Sequence, residues 1–281
     1  MGEALRAAQA PHLAMWRRLS ESVGQVDPGA GYVGGEAAQD DAKTYRALIE
    51  RVEATRTPAF WPATPGKRPL SAVERAGLVR LAGTIPGACG EAKMHAVIEA
   101  LRHAPAGDIV EIGSWWGRSA ALFALLARRW EIGQVLCVDP WAADADSGGD
   151  EALRIFEINL APLAGGRLNY MRGLSADAAE RYAPGLKVKT EAFGATSYQG
   201  LVSVLHIDGD HAEGQVERDA AMWAPHVVPG GWIIFNAYDW ALGDGPRRAA
   251  DAFAEAQQAR IGATFEAGGA LFIQLKSAPR M

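Results

Sequence analysis

The stretch DIVEIGSWWGRS, residues 108–119, sets the tightest limit on how this chain can fold. Asp108–Ile112 is a short apolar run of the kind that forms a buried strand, and Gly113 and Gly117 mark a sharp turn. A helical pattern opens at Ser119 and runs to Trp130. Glycine lets the backbone turn tightly and lets a ligand approach it with no side chain between. A strand, a glycine turn and a helix form the opening of a crossover unit, so the question becomes whether the unit repeats.

It does. Helical patterns at 91–103, 119–130, 150–160, 175–182, 213–224 and 246–260 alternate with apolar strands at 108–112, 134–139, 167–171, 203–208 and 231–235. Segments 263–266 and 270–275, joined through Gly268-Gly269, read as a closing hairpin. Strands separated by helices imply right-handed crossovers and a mainly parallel sheet, which the hairpin extends antiparallel. The expected architecture is a doubly wound, Rossmann-like α/β domain over 72–281. Residues 1–71 differ: helices are expected over 3–22 and 38–55, separated by the glycine-rich 27–37 stretch and followed by four prolines between Pro58 and Pro69. This part reads as a helical appendage, serving as a lid or a dimerisation arm.

Composition narrows the partners. The net charge is −5 and the cationic residues are scattered, so no basic face suits a nucleic acid. Two cysteines are too few for a disulfide framework, and Cys137 sits inside an apolar strand, which fits a reducing, cytoplasmic setting. No secretory signal pattern and no uninterrupted apolar stretch long enough for a membrane span is seen, so a soluble protein is expected.

The strand ends carry the chemistry. A dinucleotide loop has three glycines facing a pyrophosphate; here the third is missing and Trp115 and Trp116 fill the turn, which favours a ligand without phosphate. Glu111 before the turn suits the ammonium of an amino-acid moiety. Asp139 ends the next strand, 22 residues beyond Gly117, where a carboxylate can accept hydrogen bonds from both hydroxyls of a ribose. Asp139 can equally cap a turn before Pro140, and Trp141 can cover an adenine face or pack beneath the sheet edge. The fourth expected strand runs into His206-Ile-Asp-Gly-Asp-His211. An imidazole is the side chain best suited to take up a proton near neutral pH, so His211 is the candidate proton acceptor, with Asp208 as the second. His206, inside the strand, reads as structural, and Asp210 as shaping the turn.

The segments VEIGSWWGRS, VLCVDPW, VLHIDGDH and PGGWIIFNAYDW, in this order and spacing, resemble class I S-adenosylmethionine-dependent methyltransferases. The nearest group is that acting on sugars and natural products, including macrolide and aminocoumarin sugar O-methyltransferases. The resemblance covers roughly residues 85–275. It implies that Glu111, Gly113, Ser114, Gly117 and Ser119 line the methionine part of S-adenosyl-L-methionine, that Asp139 holds the ribose, that Ser175 lies near the adenine and that Asp208 stands beside the sulfonium. It also implies a small-molecule acceptor, and leaves homo-oligomerisation open. Related sugar methyltransferases hold Mg2+ with an aspartate after strand four and an acidic pair after strand five. Here that pair is Asn236-Ala237, so a metal would rest on Asp208 and Asn236, with Asp239 bending inward to complete it. A metal-free site built around His211 is the alternative. Two other functions share the pattern: a nicotinamide-dependent oxidoreductase, against which the missing glycine and the lack of a Tyr-x-x-x-Lys pair both count, and a non-catalytic cofactor-binding protein.

Overall fold

In a computed structural model of the chain, residues 36–54, 60–143 and 148–277 are described. The helix expected over 3–22, most of the 27–37 stretch and Pro58 lie outside them. Helix α1 spans Glu36–Ala54 and α2 Ala72–Gly83. Ser71 starts α2 with a capping box: its hydroxyl accepts from the Glu74 N–H while the Glu74 carboxylate accepts from the Ser71 N–H. Then follow α3 (Glu91–Arg102), β1 (Asp108–Ile112), α4 (Arg118–Trp130), β2 (Val135–Asp139), α5 (Gly149–Ala164), β3 (Leu168–Arg172) and α6 (Ser175–Arg181). The chain closes through β4 (Lys187–Thr190), β5 (Gly194–Ser197), β6 (Val202–Ile207), α7 (Glu213–Trp223), β7 (Val227–Phe235), α8 (Gly245–Ala256), β8 (Ile261–Ala267) and β9 (Ala270–Leu275).

Seven strands form one sheet in the order β3-β2-β1-β6-β7-β9-β8; the first five run parallel, and β9 pairs antiparallel with both β7 and β8. The chain winds outward from β1 to β3, then returns to the other side of β1 with β6. The reversal leaves a crevice beyond the carboxyl ends of β1 and β6, where open α/β sheets bind ligands.

Both faces of the sheet are covered. Ile109, Cys137, Val204 and Ile234 pack with α2–α5, whereas Val110, Leu136, Leu205 and Ile233 pack with α6–α8. This period-2 sorting is what a strand imposes, and it makes central strands apolar on every residue rather than alternating. The expected doubly wound sheet with an antiparallel terminal hairpin is therefore present. The β4–β5 hairpin was not expected. Asn169 on β3 holds it, its Nδ2 donating to the carbonyls of Val188 and Gly194 at 3.1 and 3.0 Å.

The described part of the proline-rich segment is bound into the body of the protein. Phe60 stacks on Phe265 at 4.7 Å and meets Trp232 edge-on at 5.4 Å. The Ala63 N–H donates to Gln274 Oε1 at 2.7 Å, and Lys67 N–H to the Arg102 carbonyl at 2.8 Å. Arg102, Gly230 and Gln274 lie where α3 ends, β7 begins and β9 closes, at the opposite end of the sheet from the crevice. Residues 60–69 therefore lie against the body of the protein away from the crevice. Helix α1 differs, since Arg51 pairs with Glu91 at the crevice end of α3, Nη2 to Oε2 3.1 Å. Among the described residues no helix is long and apolar enough to cross a membrane.

Candidate active site

Strand parity gathers the polar residues. Glu111, His206 and Asp139 lie an even number of residues from Ile109, Val204 and Val135, so all project on the α3–α5 face. In register, Cys137, Glu111 and His206 are neighbours across β2, β1 and β6. Two residues further along come Asp139, the last residue of β2, and Gly113, Asp208 and Asn236 just beyond the ends of β1, β6 and β7.

Gly113 makes this second row compact. Its φ is +78°, and a Cβ there would stand 2.1 Å from the Asp208 carbonyl oxygen, so only glycine lets the two turns touch. The contact is sealed by Gly113 N–H donating to Val138 O and Asp208 N–H donating to Ile112 O, each at 2.8 Å. Gly117, φ +90°, opens α4 where a Cβ would meet Leu160 Cδ2 at 2.3 Å. Both glycines thus serve packing as well as access.

Glu111 and His206 are buried together, His206 Nδ1 lying 3.0 Å from Glu111 Oε1. Burial pushes Glu111 up to about 7, against the pull of the Ser119 and Ser114 hydroxyls and of Lys93. Burial, with Lys93 adding to it, pushes His206 down to about 3, so its imidazole is neutral. Glu111 has no exposed surface; it sits beneath Ser114 and Ser119, which face a small cavity. A ligand ammonium in that cavity would feel Glu111 across the serines instead of touching it.

Asp139 is 8% exposed, and its oxygens are largely engaged. Oδ2 accepts the N–H groups of Ser114 and Trp115, both at 2.8 Å, and Oδ1 accepts that of Trp141 at 2.7 Å. With two lone pairs per oxygen, Oδ2 is filled and Oδ1 has one position left. The carboxylate can take one further hydroxyl, not the two expected. Its turn-capping role, the alternative weighed from Pro140, is realised alongside. Trp141 is fully buried, tilted against Phe156 at 5.0 Å, and donates Nε1–H to the Trp115 carbonyl at 2.9 Å; it packs in the core and covers no ligand face.

At Asp208 a residue without a sequence signal enters. Lys93, in the first turn of α3, is buried to 1% of its side-chain surface, and its Nζ stands 3.5 Å from Asp208 Oδ2. It also donates to Asn236 Oδ1, while Asn236 Nδ2 donates to Asp208 Oδ1. Asp208 and Asn236 are brought together as expected, but around an ammonium. Asp239 is elsewhere: its carboxylate lies against the β8–β9 turn, Oδ1 2.6 Å from where a Cβ on Gly269 would be. The donor set for Mg2+ is therefore not assembled, and among the described residues no cluster of three or more His, Cys, Asp or Glu suited to a metal forms.

The cavity, about 100 Å³, is lined by Gly113, Ser114, Trp115, Gly117, Ser119 and Asp208, and walled by Pro86–Cys89. Arg118 fastens that wall by donating to the carbonyls of Ile85 and Cys89. Ligand pockets run to roughly 300–1,000 Å³, so this space is too small for a whole nucleoside cofactor. Trp115 stands at its rim, 38% exposed, φ +44° and stacked on Trp116 at 4.3 Å. The lining of glycines, serine hydroxyls and the Asp208 carboxylate, with Glu111 beneath it, suits the amino-acid portion of S-adenosylmethionine in polarity. Ser175 is placed apart from the cavity: its hydroxyl accepts from Trp223 Nε1 at 2.9 Å, tying α6 to α7. His211 does not line the cavity either; it meets Trp240 edge-on at 4.6 Å, beyond Asp208 on the same turn. A larger cavity of about 300 Å³ between α7 and α8 contains none of the motif residues.

Residues 110–238 match the profile of a protein family described as a methyltransferase domain. No curated protein sequence matches the chain. Among solved structures, the chain is similar to CalS11, a TDP-rhamnose 3'-O-methyltransferase of calicheamicin biosynthesis, at 13% identity and TM-score 0.47, covering 89% of this chain and 99% of that one. It is similar to the O-methyltransferase NovP at 14% identity and TM-score 0.46, covering 84% and 99%. Similarity to MycE from the mycinamycin pathway, crystallised with Mg, SAH and mycinamycin VI, is 18% in identity with TM-score 0.37, covering 63% and 47%.

Proposed function

We propose that this chain, whose residues 110–238 match a methyltransferase domain, is a methyltransferase that takes its methyl group from S-adenosylmethionine and delivers it to an oxygen of a small hydroxylated metabolite, a sugar or a glycosylated natural product. The observation that carries the reading is that the matched residues contain Glu111, the Gly113–Gly117 turn, Asp139, Asp208 and Asn236, with a cavity at the glycine turn and Asp208 on its wall. When bound, the cofactor supplies a methyl group already activated by its sulfonium. The protein then has to position the acceptor and take up its proton.

The residues divide those tasks. The Gly113–Gly117 turn receives the amino-acid end, with Glu111 beneath it as the negative charge. The free position on Asp139 Oδ1 accepts one ribose hydroxyl. Asp208, on the cavity wall, stands beside the reacting centre and orients the acceptor through a neighbouring hydroxyl. His211, beyond Asp208 on the same turn, accepts the hydrogen bond of the reacting hydroxyl and takes its proton. The methyltransferase match displaces the nicotinamide reading.

Calorimetry with S-adenosylhomocysteine and with NADH tests the donor half, and binding of NADH alone would overturn it. Mass spectrometry over nucleotide sugars and glycosylated aglycones tests the acceptor half. His211→Ala is expected to lower kcat by roughly 10²–10⁴-fold with unchanged affinity for S-adenosylhomocysteine; normal turnover removes it as the base.

A further inference from the structure

Lys93 is an unusual residue to bury. An ammonium withdrawn from water is tolerated only where it is paired, and the first turn of a helix is where the dipole most disfavours a cation. Lys93 nevertheless sits three residues into α3 behind Gly90, with essentially no exposed surface. The β8–β9 turn closes over its backbone, since a Cβ on Gly268 would stand 2.4 Å from Lys93 N. The side chain reaches across 115 and 143 residues of sequence to Asp208 and Asn236, which are also bonded to each other. The three groups close a ring.

This ring stands where a divalent cation would be held. Mg2+ needs close to octahedral oxygen coordination at about 2.0–2.1 Å. Here Asn236 turns its oxygen to Lys93 and its amide nitrogen to Asp208, Ala237 offers no donor, and Asp239 lies against Gly269. The residues present do not fit the metal; they fit a fixed single positive charge.

We propose that Lys93 is a built-in replacement for the divalent cation, a positioning residue that holds the Asp208 carboxylate on the cavity wall so that the centre works without metal. Lys93 does not line the cavity and acts through Asp208. The proposal rests on the methyl-transfer reading for its consequence in turnover, but its cation-binding consequence stands apart from that reading.

The test uses the full chain stripped with EDTA and Mn2+ as probe, followed by the loss of the free-ion paramagnetic resonance signal. The wild-type protein and N236D are expected to leave the signal unchanged. The K93A/N236D double variant, which removes the ammonium and leaves two facing carboxylates, is expected to bind one Mn2+. A wild-type Mn2+ site lost in D208N overturns the proposal. So does a folded double variant that binds none, folding being checked by near-ultraviolet dichroism. In turnover, Lys93→Met is expected to lower kcat by roughly 100-fold, the size of a misplaced reacting group, with affinity for S-adenosylhomocysteine unchanged and partial rescue in Lys93→Arg. Wild-type turnover that collapses with EDTA and returns with Mg2+ also overturns it. If S-adenosylhomocysteine does not bind at all, the methyl-transfer reading fails while the Mn2+ result still decides the role of Lys93.

Discussion

Three backbone N–H groups converge on the Asp139 carboxylate, and two of them come from the turn after β1. Asp139→Ala is therefore expected to loosen that turn as well as weaken cofactor binding. Charge-assisted bonds are worth about 1.5–3 kcal/mol each and do not add, so a loss of about 3 kcal/mol in unfolding free energy is expected. Denaturant titration measures it; an unchanged midpoint would show that the carboxylate does not organise the turn. Glu111 makes a second prediction at this scale. Burial raises it to about 7, so near neutrality the ligand-free protein holds a fraction of a proton there. A ligand cation nearby favours the ionised form and lowers that value, so binding expels the proton. Affinity for S-adenosylhomocysteine should rise as pH increases toward 7 and level off above it. Calorimetry in buffers of different ionisation heat should show proton release near pH 6.5, and a heat independent of buffer counts against it.

Between elements, the contact that matters most is the one between the turns after β1 and β6. A Cβ on Gly113 would run into the Asp208 carbonyl, backbone that cannot yield without parting the two strands. Gly113→Ala is expected to cost about 3 kcal/mol or more, combining a positive φ with overpacking. Gly117→Ala meets side chains and no backbone, Leu160 Cδ2 at 2.3 Å and Phe156 Cδ2 at 3.0 Å, which can shift more easily than a strand, and should cost about 1–2 kcal/mol. Chemical unfolding of both variants checks the order, and the reverse ranking would mean that the turns do not press on one another. This scale also separates what was legible. The strands at 108–112 and 134–139 are apolar runs bounded by turns and stand out in the sequence. Lys187–Thr190 and Gly194–Ser197 were missed, because a hairpin of two four-residue strands exposed on most positions shows no apolar period.

At the scale of the whole molecule, residues 60–69 belong with the sheet and not with the appendage assigned to 1–71. Phe60→Ala should remove packing against Phe265 and Trp232 and cost about 3 kcal/mol. Because Phe60 lies at the end of the sheet opposite Asp208, affinity for S-adenosylhomocysteine should not change. A stable variant with altered affinity would favour a lid. The tryptophans divide in the same way: Trp141, Trp223 and Trp232 are fully buried, whereas Trp61, Trp115 and Trp240 are exposed.

The order of strands and helices, the two glycines of the turn and the acidic residues at the strand ends were written in the sequence. They depend on local periodicity and on spacing within one crossover unit, both of which survive in a linear string. Lys93 was not. Its meaning arises only when α3 folds across the sheet and sets its ammonium between Asp208 and Asn236. The same is true of the engagement of Asp139 by three backbone groups, and of the placing of Ser175 and His211 away from the cavity. Local pattern is fixed by neighbours along the chain, whereas the occupancy of a lone pair or a buried charge is fixed by neighbours in space, and only the tertiary structure decides which those are.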